Sequence, residues 1–186
     1  MADDWSQNLK SIHTKLTKIT QAWALGRPFS FEHARELRRQ AILTNHTNYL
    51  THIPIYQRYA QEEGIVSLDD IQPIKKQLMF PDELFKSYDQ RWLDDKDFTR
   101  MNAWLSEIHS QRVEIDVTGI DSIDAWINRL AQASIHIVYS SGTSGNLSFV
   151  PRDAANWELF KTVSTCYLTP LLMGRKLGTP LQQLLV

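Results

Sequence analysis

The hydrophobic period of this chain changes near residue 135, and that change constrains its fold more than any other feature. Before it, large apolar side chains recur every three or four residues, which is the spacing of amphipathic helices. The run at 135–139 is instead β-branched and aromatic, which favours a buried strand. The sequence therefore predicts an α/β fold, with a mostly helical region at 1–134 followed by strands, a loop and a further helix at 135–186.

Glycine and proline divide the helical region into separate helices. The first is expected to end near Gly26 and to bury one apolar face, against the rest of the domain or against another subunit. That face is formed by Trp5, Leu9, Ile12, Leu16, Ile19 and Trp23. The second begins after Ser30; it is expected to turn Ala34, Leu37, Ala41 and Tyr49 inward and Arg35, Arg38 and Arg39 to solvent. The third opens at Pro54 and ends at Gly64, which suits left-handed backbone.

The same signals assign the later segments. A turn is expected at 69–73, because Pro73 disfavours helix in the residue before it. A helix with proline in its first position is expected from Pro81. Another helical face is formed by Phe98, Met101, Leu105 and Ile108. Asp121 is expected to cap a helix with Ile127 and Leu130, and Asp153 a helix with Trp157, Phe160, Val163 and Tyr167.

Length and composition narrow the classes of function. The 186 residues fit one domain or part of one, and 42% apolar with 22% charged residues is typical of a soluble globular protein. The net charge of −1 shows no basic excess, so no nucleic-acid partner is expected. The single cysteine, Cys166, and a start without an export signal or membrane span predict a cytoplasmic protein. The six histidines are scattered without metal-ligand spacing.

The predicted strand leads directly into a loop of glycines and hydroxyl residues. Gly142 and Gly145 permit backbone conformations that let successive amides converge on an anion. Hydroxyl groups are supplied by Ser140, Ser141, Thr143 and Ser144. The loop therefore has the chemistry of a phosphate cradle. Its composition is equally compatible with a polar hairpin turn between strands at 135–139 and 148–150, with Pro151 at the end of the second strand.

Spacing excludes two common loop motifs. A Walker loop has four residues between its glycines and then a lysine, whereas Gly142 and Gly145 are separated by two residues and no lysine follows. The nucleophile elbow of α/β hydrolases needs Gly-x-Ser-x-Gly, and the segment from Gly142 to Gly145 is one residue short.

The residue order from Tyr139 to Gly145 resembles the Ser/Thr/Gly-rich phosphate loop of the adenylate-forming superfamily. That superfamily includes acyl-CoA synthetases, peptide-synthetase adenylation domains and firefly luciferase. The surroundings are most similar to the acyl-protein synthetase family of bacterial bioluminescence, and more distantly to phenylacetate-CoA ligases. The similar flanking segments are Asp69-Asp70-Ile71-Gln72-Pro73, Phe80-Pro81-Asp82-Glu83-Leu84-Phe85 and Arg152-Asp153. The resemblance covers roughly residues 35 to 160.

The resemblance implies an activity and a set of ligands. Enzymes of this superfamily use ATP to convert a carboxylate to an acyl-adenylate, release pyrophosphate, and pass the acyl group to a thiol of CoA or a protein. The implied phosphate-binding residues are Ser140, Ser141, Gly142, Thr143, Ser144, Gly145 and Arg152. Arg152 would take the place of the lysine that many relatives carry after the loop. The implied cofactors are ATP and magnesium, with the magnesium ligand outside this chain.

The chain also departs from the superfamily pattern. Nothing in it corresponds to the adenine-binding aromatic segment, the ribose-binding aspartate, the magnesium-binding glutamate or the C-terminal lysine. Cys166 matches no acyl-accepting cysteine of these enzymes, and we expect it to be a small core residue. Residues 1–186 are therefore expected to be a partial N-terminal domain, inactive alone. The apolar run 181–186 and an open strand edge predict self-association. The alternative is a non-catalytic scaffold or partner-binding module that binds at most phosphate.

Overall fold

A computed structural model describes residues 2–65, 71–77, 82–140, 146–168 and 172. These residues are mostly helical and contain one small antiparallel sheet of two strands, so the predicted order of helices and strands is confirmed in this coarse form. The helices are α1 Ala2–Ala24, α2 Phe31–His52, α3 Pro54–Glu62, α4 Gln72–Gln77, α5 Gln90–Asp94, α6 Phe98–Ile108, α7 Ile123–Gln132 and α8 Ala154–Phe160. The strands are β1 His136–Ser140 and β2 Ser148–Arg152. A 3-10 helix spans Asp82–Lys86, and a π-helix, Lys161–Leu168, continues α8.

The chain divides into two compact units. One consists of Met1–His46 and Ala155–Val186, and the other of Thr47–Ala154. The second unit contains α3 to α7 and both strands. The change of hydrophobic period near residue 135 is thus a change of secondary structure inside one unit.

The first unit confirms part of the predicted α1 face. Leu9 and Ile12 are buried, and Leu16 and Ile19 are half-buried. Trp23 is not buried against its own chain: it is 47% exposed in the last turn of α1, beside an open groove. Burial of Trp23 against another subunit stays a prediction. The side chain of Trp5 lies outside the described part of the chain.

Helix α2 largely follows its predicted orientation. Ser30 caps it, since its Oγ accepts a 3.1 Å hydrogen bond from the amide of His33. The inward positions Ala34 and Leu37 are buried, and Arg35 and Arg38 are exposed. Three predicted positions are half-buried instead, namely Ala41, Tyr49 and Arg39. Arg39 forms an ion pair with Glu36 on the same helix, Nε to Oε2 at 3.0 Å.

Four helices end in the same backbone motif, in which a left-handed residue closes the last turn. Gly26 and Gly64 occupy this position with φ of 64° and 69°. The sequence predicted left-handed backbone at Gly64 and a helix end near Gly26. Lys96 and Ser134 occupy it with φ of 58° and 63°. At Ser134 the amide bonds the Ala131 carbonyl and the next amide bonds that of Leu130, both at 3.0 Å. This motif turns the chain from α7 into β1.

Three boundary predictions are changed by the structure. Gln72 and Pro73 open α4 instead of closing a turn, because proline is tolerated in the first turn of a helix; residues 69–70 lie outside the described ranges. Residues 80–81 also lie outside them, and the segment that follows is 3-10 helix. Ser122, and not Asp121, caps α7: its extended backbone lets Oγ accept from the Ala125 amide at 3.3 Å.

The core of the second unit forms around Trp126, which is fully buried. Its ring stacks on Phe98 with centroids 5.5 Å apart and meets Phe149 edge-on at 5.6 Å. The indole Nε1 donates a 2.8 Å hydrogen bond to Oδ1 of buried Asn102. The predicted face of α6 is confirmed, since all four of its members are buried: Phe98, Met101, Leu105 and Ile108. Because Phe149 belongs to β2, its contact with Trp126 attaches the sheet to this core.

Candidate phosphate-binding hairpin

The two strands pair antiparallel on either side of the Ser/Thr/Gly-rich loop sequence. Their register pairs Ser140 with Ser148 at the loop end and His136 with Arg152 at the other end. A polar hairpin turn was one interpretation of the sequence; the pairing confirms that the two strands are neighbours, while the turn itself falls outside the described residues. The phosphate-loop residues Ser141, Gly142, Thr143, Ser144 and Gly145 lie outside the described residues. Ser140 and Ser148 therefore mark the structurally defined neck of the loop.

A pair of hydroxyls joins the two strands at this neck. The Oγ atoms of Ser140 and Ser148 lie 2.8 Å apart, and either can be the donor. A hydroxyl donates one hydrogen bond and accepts two. Ser140 can consequently accept from Ser148 while its own proton points to an anion at the loop. Burial falls along β1 from Ile137, 8% exposed, to Tyr139, 48% exposed, so the loop end of the hairpin is open to solvent.

Phe149 anchors the hairpin to the core below it. Its side chain is fully buried and lies close to the rings of Tyr88, Trp104 and Trp126, with centroid distances of 5.6, 6.5 and 5.6 Å. Aromatic contacts at these distances add about 0.5–1.5 kcal/mol each beyond the burial of their area. The strand that leaves the loop is thereby held in place by packing.

Tyr88 forms a hydrogen bond with the residue that precedes β2, on the C-terminal side of the loop sequence. Its hydroxyl donates a 2.8 Å hydrogen bond to the carbonyl oxygen of Leu147, two residues after Gly145. Burial raises the pKa of Tyr88, and the negative charge of Asp94 raises it further. The sequence analysis missed this residue, because no local pattern reports a hydrogen bond between distant segments.

Of the two predicted site residues that the structure describes, Ser140 lies at the loop neck and Arg152 lies away from it. Arg152 lies four residues beyond Ser148 in β2, so their Cα atoms are about 13 Å apart at about 3.3 Å per residue. The hairpin does not bring Arg152 beside Ser140. Its charge instead acts on Tyr49, whose pKa is raised by burial and by Asp153 and lowered by Arg152. The assignment of Arg152 to a phosphate stays a prediction.

No protein-family model matches this chain, and no curated protein or solved structure is significantly similar to it. The functional proposal therefore rests on the sequence of the loop and on the geometry of the hairpin. No group of three metal-ligating His, Cys, Asp or Glu side chains occurs in the part of the chain that the structure describes. No helix of that part is long and apolar enough to cross a bilayer.

A separate cavity of about 550 Å³ lies in the second unit, between the start of α3, α6 and the extended segment after α6. His109 lines it, is buried, and has its Nδ1 within 3.1 Å of the backbone of Gln111. Burial lowers the pKa of His109, against smaller effects of Gln111 and Asp153 that raise it. The sequence analysis assigned no role to this histidine. A neutral, buried imidazole makes folding sensitive to acid.

Proposed function

We propose that this chain supplies the phosphate-binding part of an ATP-dependent carboxylate-activating ligase. The observation that carries the proposal is the residue order Ser140-Ser141-Gly142-Thr143-Ser144-Gly145 at the solvent-exposed end of a β-hairpin. Glycines and hydroxyls in this order provide converging amide and hydroxyl donors without a fixed positive charge. The resemblance to the adenylate-forming superfamily, closest to acyl-protein synthetases, supplies the reaction.

The reaction places a specific demand on the loop. A carboxylate oxygen of the acid attacks the α-phosphorus of ATP, the bond from that phosphorus to the β-bridging oxygen breaks, and pyrophosphate leaves with the bonding electrons. Negative charge therefore grows on the β and γ phosphates. Fixed hydrogen-bond donors that face this charge stabilise the transition state more than the bound substrate. Thr143, Ser144 and the loop amides are proposed for this role, with Ser140 donating from the neck.

Magnesium, when bound to the nucleotide, would neutralise part of the phosphate charge. The donor set of the loop, which contains hydroxyls and no carboxylate, fits the phosphates and not the metal. The acyl-adenylate would then pass its acyl group to a thiol, releasing AMP. This chain is proposed to hold the phosphates, and no group in it is assigned to the acid, the metal or the thiol.

Binding of ATP to the purified chain tests the phosphate role. Calorimetry should show saturable binding, and Thr143→Val should weaken it about tenfold or more, because hydrogen bonds to charged groups contribute about 1.5–3 kcal/mol. Thr51→Ala is the matched control, since Thr51 is an exposed threonine on α2 that bonds only its own helix backbone. Equal affinity for ATP in Thr143→Val and Thr51→Ala would show that the hydroxyl of Thr143 does not bind the phosphates. A loss in Arg152→Gln as large as in Thr143→Val would assign the guanidinium to the phosphate.

An adenylation assay on the isolated chain tests whether this chain holds a complete active site. Because no residue is assigned to adenine, ribose, metal or acid, the isolated chain should form no acyl-adenylate, and hydroxylamine should trap no hydroxamate with ATP, magnesium and fatty or aromatic acids. Hydroxamate formation would show that the chain carries a complete active site. The absence of any ATP binding would favour the alternative, a scaffold or partner-binding module.

A further inference from the structure

The corner between α1 and α2 carries a cluster of exposed apolar side chains. Trp23 is 47% exposed, Leu25 42% and Phe31 76%. The rings of Phe29 and Phe31 pack together with centroids 4.5 Å apart. Single exposed apolar residues are normal on protein surfaces, whereas a cluster of large ones marks a binding surface.

A groove of about 230 Å³ continues this cluster along both helices. Its apolar walls come from Leu16, Ile19, Trp23, Phe29 and Phe31. Arg38 also lines the groove, so a cation is part of the same surface. The surface is therefore amphipathic.

The segment that contains this corner carries an excess of positive charge. Residues 10–39 contain seven lysines and arginines and two glutamates, a net charge of +5 in a chain whose total is −1. Six of the seven basic residues are exposed: Lys10, Lys15, Lys18, Arg27, Arg35 and Arg38. The seventh, Arg39, neutralises Glu36 in the ion pair within α2. A partner for this surface must be apolar at its contact and negatively charged around it.

On α2, basic and aromatic side chains project from the same side of the helix. Arg35 follows Phe31 by four residues and Arg38 by seven, which places all three on one face of α2. Aromatic residues beside a basic rim are characteristic of helices that lie in the interface of a membrane.

We propose that the α1–α2 corner binds the surface of an anionic lipid bilayer. Trp23, Leu25 and Phe31 enter the interfacial region, and Arg35 and Arg38 contact lipid phosphates. Phe31 is the most exposed of the three, and such a protruding ring suits a fluid interface better than a fixed pocket in another protein. The corner lies on the surface and crosses no bilayer. This proposal is independent of the phosphate-loop function.

Co-sedimentation of the full chain with lipid vesicles tests the proposal. The chain should sediment with vesicles of phosphatidylcholine containing about one third phosphatidylserine and not with phosphatidylcholine alone, and salt of about 0.5 M should release it. The double variant Arg35→Gln, Arg38→Gln should bind about 25-fold more weakly, at roughly fivefold for each basic side chain near an anionic surface. Phe31→Ser should bind at least about tenfold more weakly, because Phe31 is 76% exposed and burying a phenylalanine side chain contributes about 1.5–3 kcal/mol.

A matched control distinguishes an effect of Arg35 and Arg38 from an effect of the total charge of the chain. The double variant Arg58→Gln, Arg112→Gln changes the net charge equally through exposed arginines of the second unit and should bind like the unchanged chain. Equal losses in the two double variants would overturn the proposal. So would equal binding to both kinds of vesicle, or no binding to either. A dimer in solution that Phe31→Ser dissociates would show that a second copy covers the corner, and would overturn it as well.

Discussion

The hydroxyl of Tyr88 donates a 2.8 Å hydrogen bond to the carbonyl oxygen of Leu147, 59 residues further along the chain. Tyr88 is buried, and its ring meets Trp104 at a centroid distance of 5.1 Å. Leu147 lies between the phosphate-loop sequence and β2. The bond therefore fixes the exit of the loop to the packed core, which reduces the ordering that a ligand must impose on the loop.

Removing this hydroxyl should affect stability and ligand binding together. Tyr88→Phe keeps the ring and deletes the donor, so we expect the free energy of unfolding to fall by about 1 kcal/mol and the affinity for ATP to fall several-fold. Urea unfolding and calorimetry measure the two effects. Tyr139→Phe is the control for stability, because it deletes a hydroxyl from an exposed ring of β1 and should leave the free energy of unfolding unchanged. Unaltered ATP affinity in Tyr88→Phe would show that the loop needs no such anchor.

Ser134 holds a backbone conformation that favours glycine. Its φ of 63° closes the end of α7, and a side chain in left-handed backbone costs about 1–2 kcal/mol. We expect Ser134→Gly to raise the free energy of unfolding by roughly 1 kcal/mol, after the entropy that glycine adds to the unfolded chain. Ala133→Gly should lower it, because φ at Ala133 is −87° and no strain is relieved. Urea unfolding of both variants measures the difference, and destabilisation by both would contradict the assigned conformation.

The lowered pKa of His109 should make stability depend on pH. Because burial disfavours its charged form, the unfolded chain binds the proton more readily than the folded protein. The stability that neutral His109 permits is fully present above the unfolded pKa of about 6.5 and is lost as the pH falls below it. Burial lowers the pKa of His46 in the same direction.

The measurement is urea unfolding between about pH 7.5 and about pH 5. We expect the free energy of unfolding to decrease over this range in the unchanged protein and to decrease less in His109→Gln. His33→Gln, at an exposed position of α2, should keep the original pH dependence. Identical pH dependence in His109→Gln and the unchanged protein would show that His109 takes up its proton equally well in both states.

The sequence predicted those features whose cause is local. The α6 face repeats at helical spacing, and all four of its predicted members are buried. Gly26 and Gly64 marked two helix ends because glycine is the usual residue in left-handed backbone. The equivalent ends at Lys96 and Ser134 were missed, since their conformation is set by packing and hydrogen bonds and not by residue type.

Features that depend on contacts between distant segments could not be predicted from the sequence. Trp23 continues the apolar period of α1, yet it is exposed, because periodicity reports a helix face and not what covers it. The Tyr88 bond to Leu147 leaves no local pattern at either residue. Arg152 was assigned to the phosphate from its position after the loop. The strand register shows that Arg152 pairs with His136, at the end of the hairpin away from the loop neck. The sequence alone did not predict this separation.

Nuclear magnetic resonance of the uniformly ¹⁵N-labelled chain tests the central claim most directly. Titration with ATP should shift the backbone amide signals of Ser141 to Gly145 in a saturable manner, with Gly142 and Gly145 among the largest changes, because these amides are proposed to donate to the phosphates. Pyrophosphate should shift the same signals, and AMP should shift them much less. Saturable shifts confined to another region, such as the basic corner around Arg35 and Arg38, would contradict the assignment of the loop as the phosphate site.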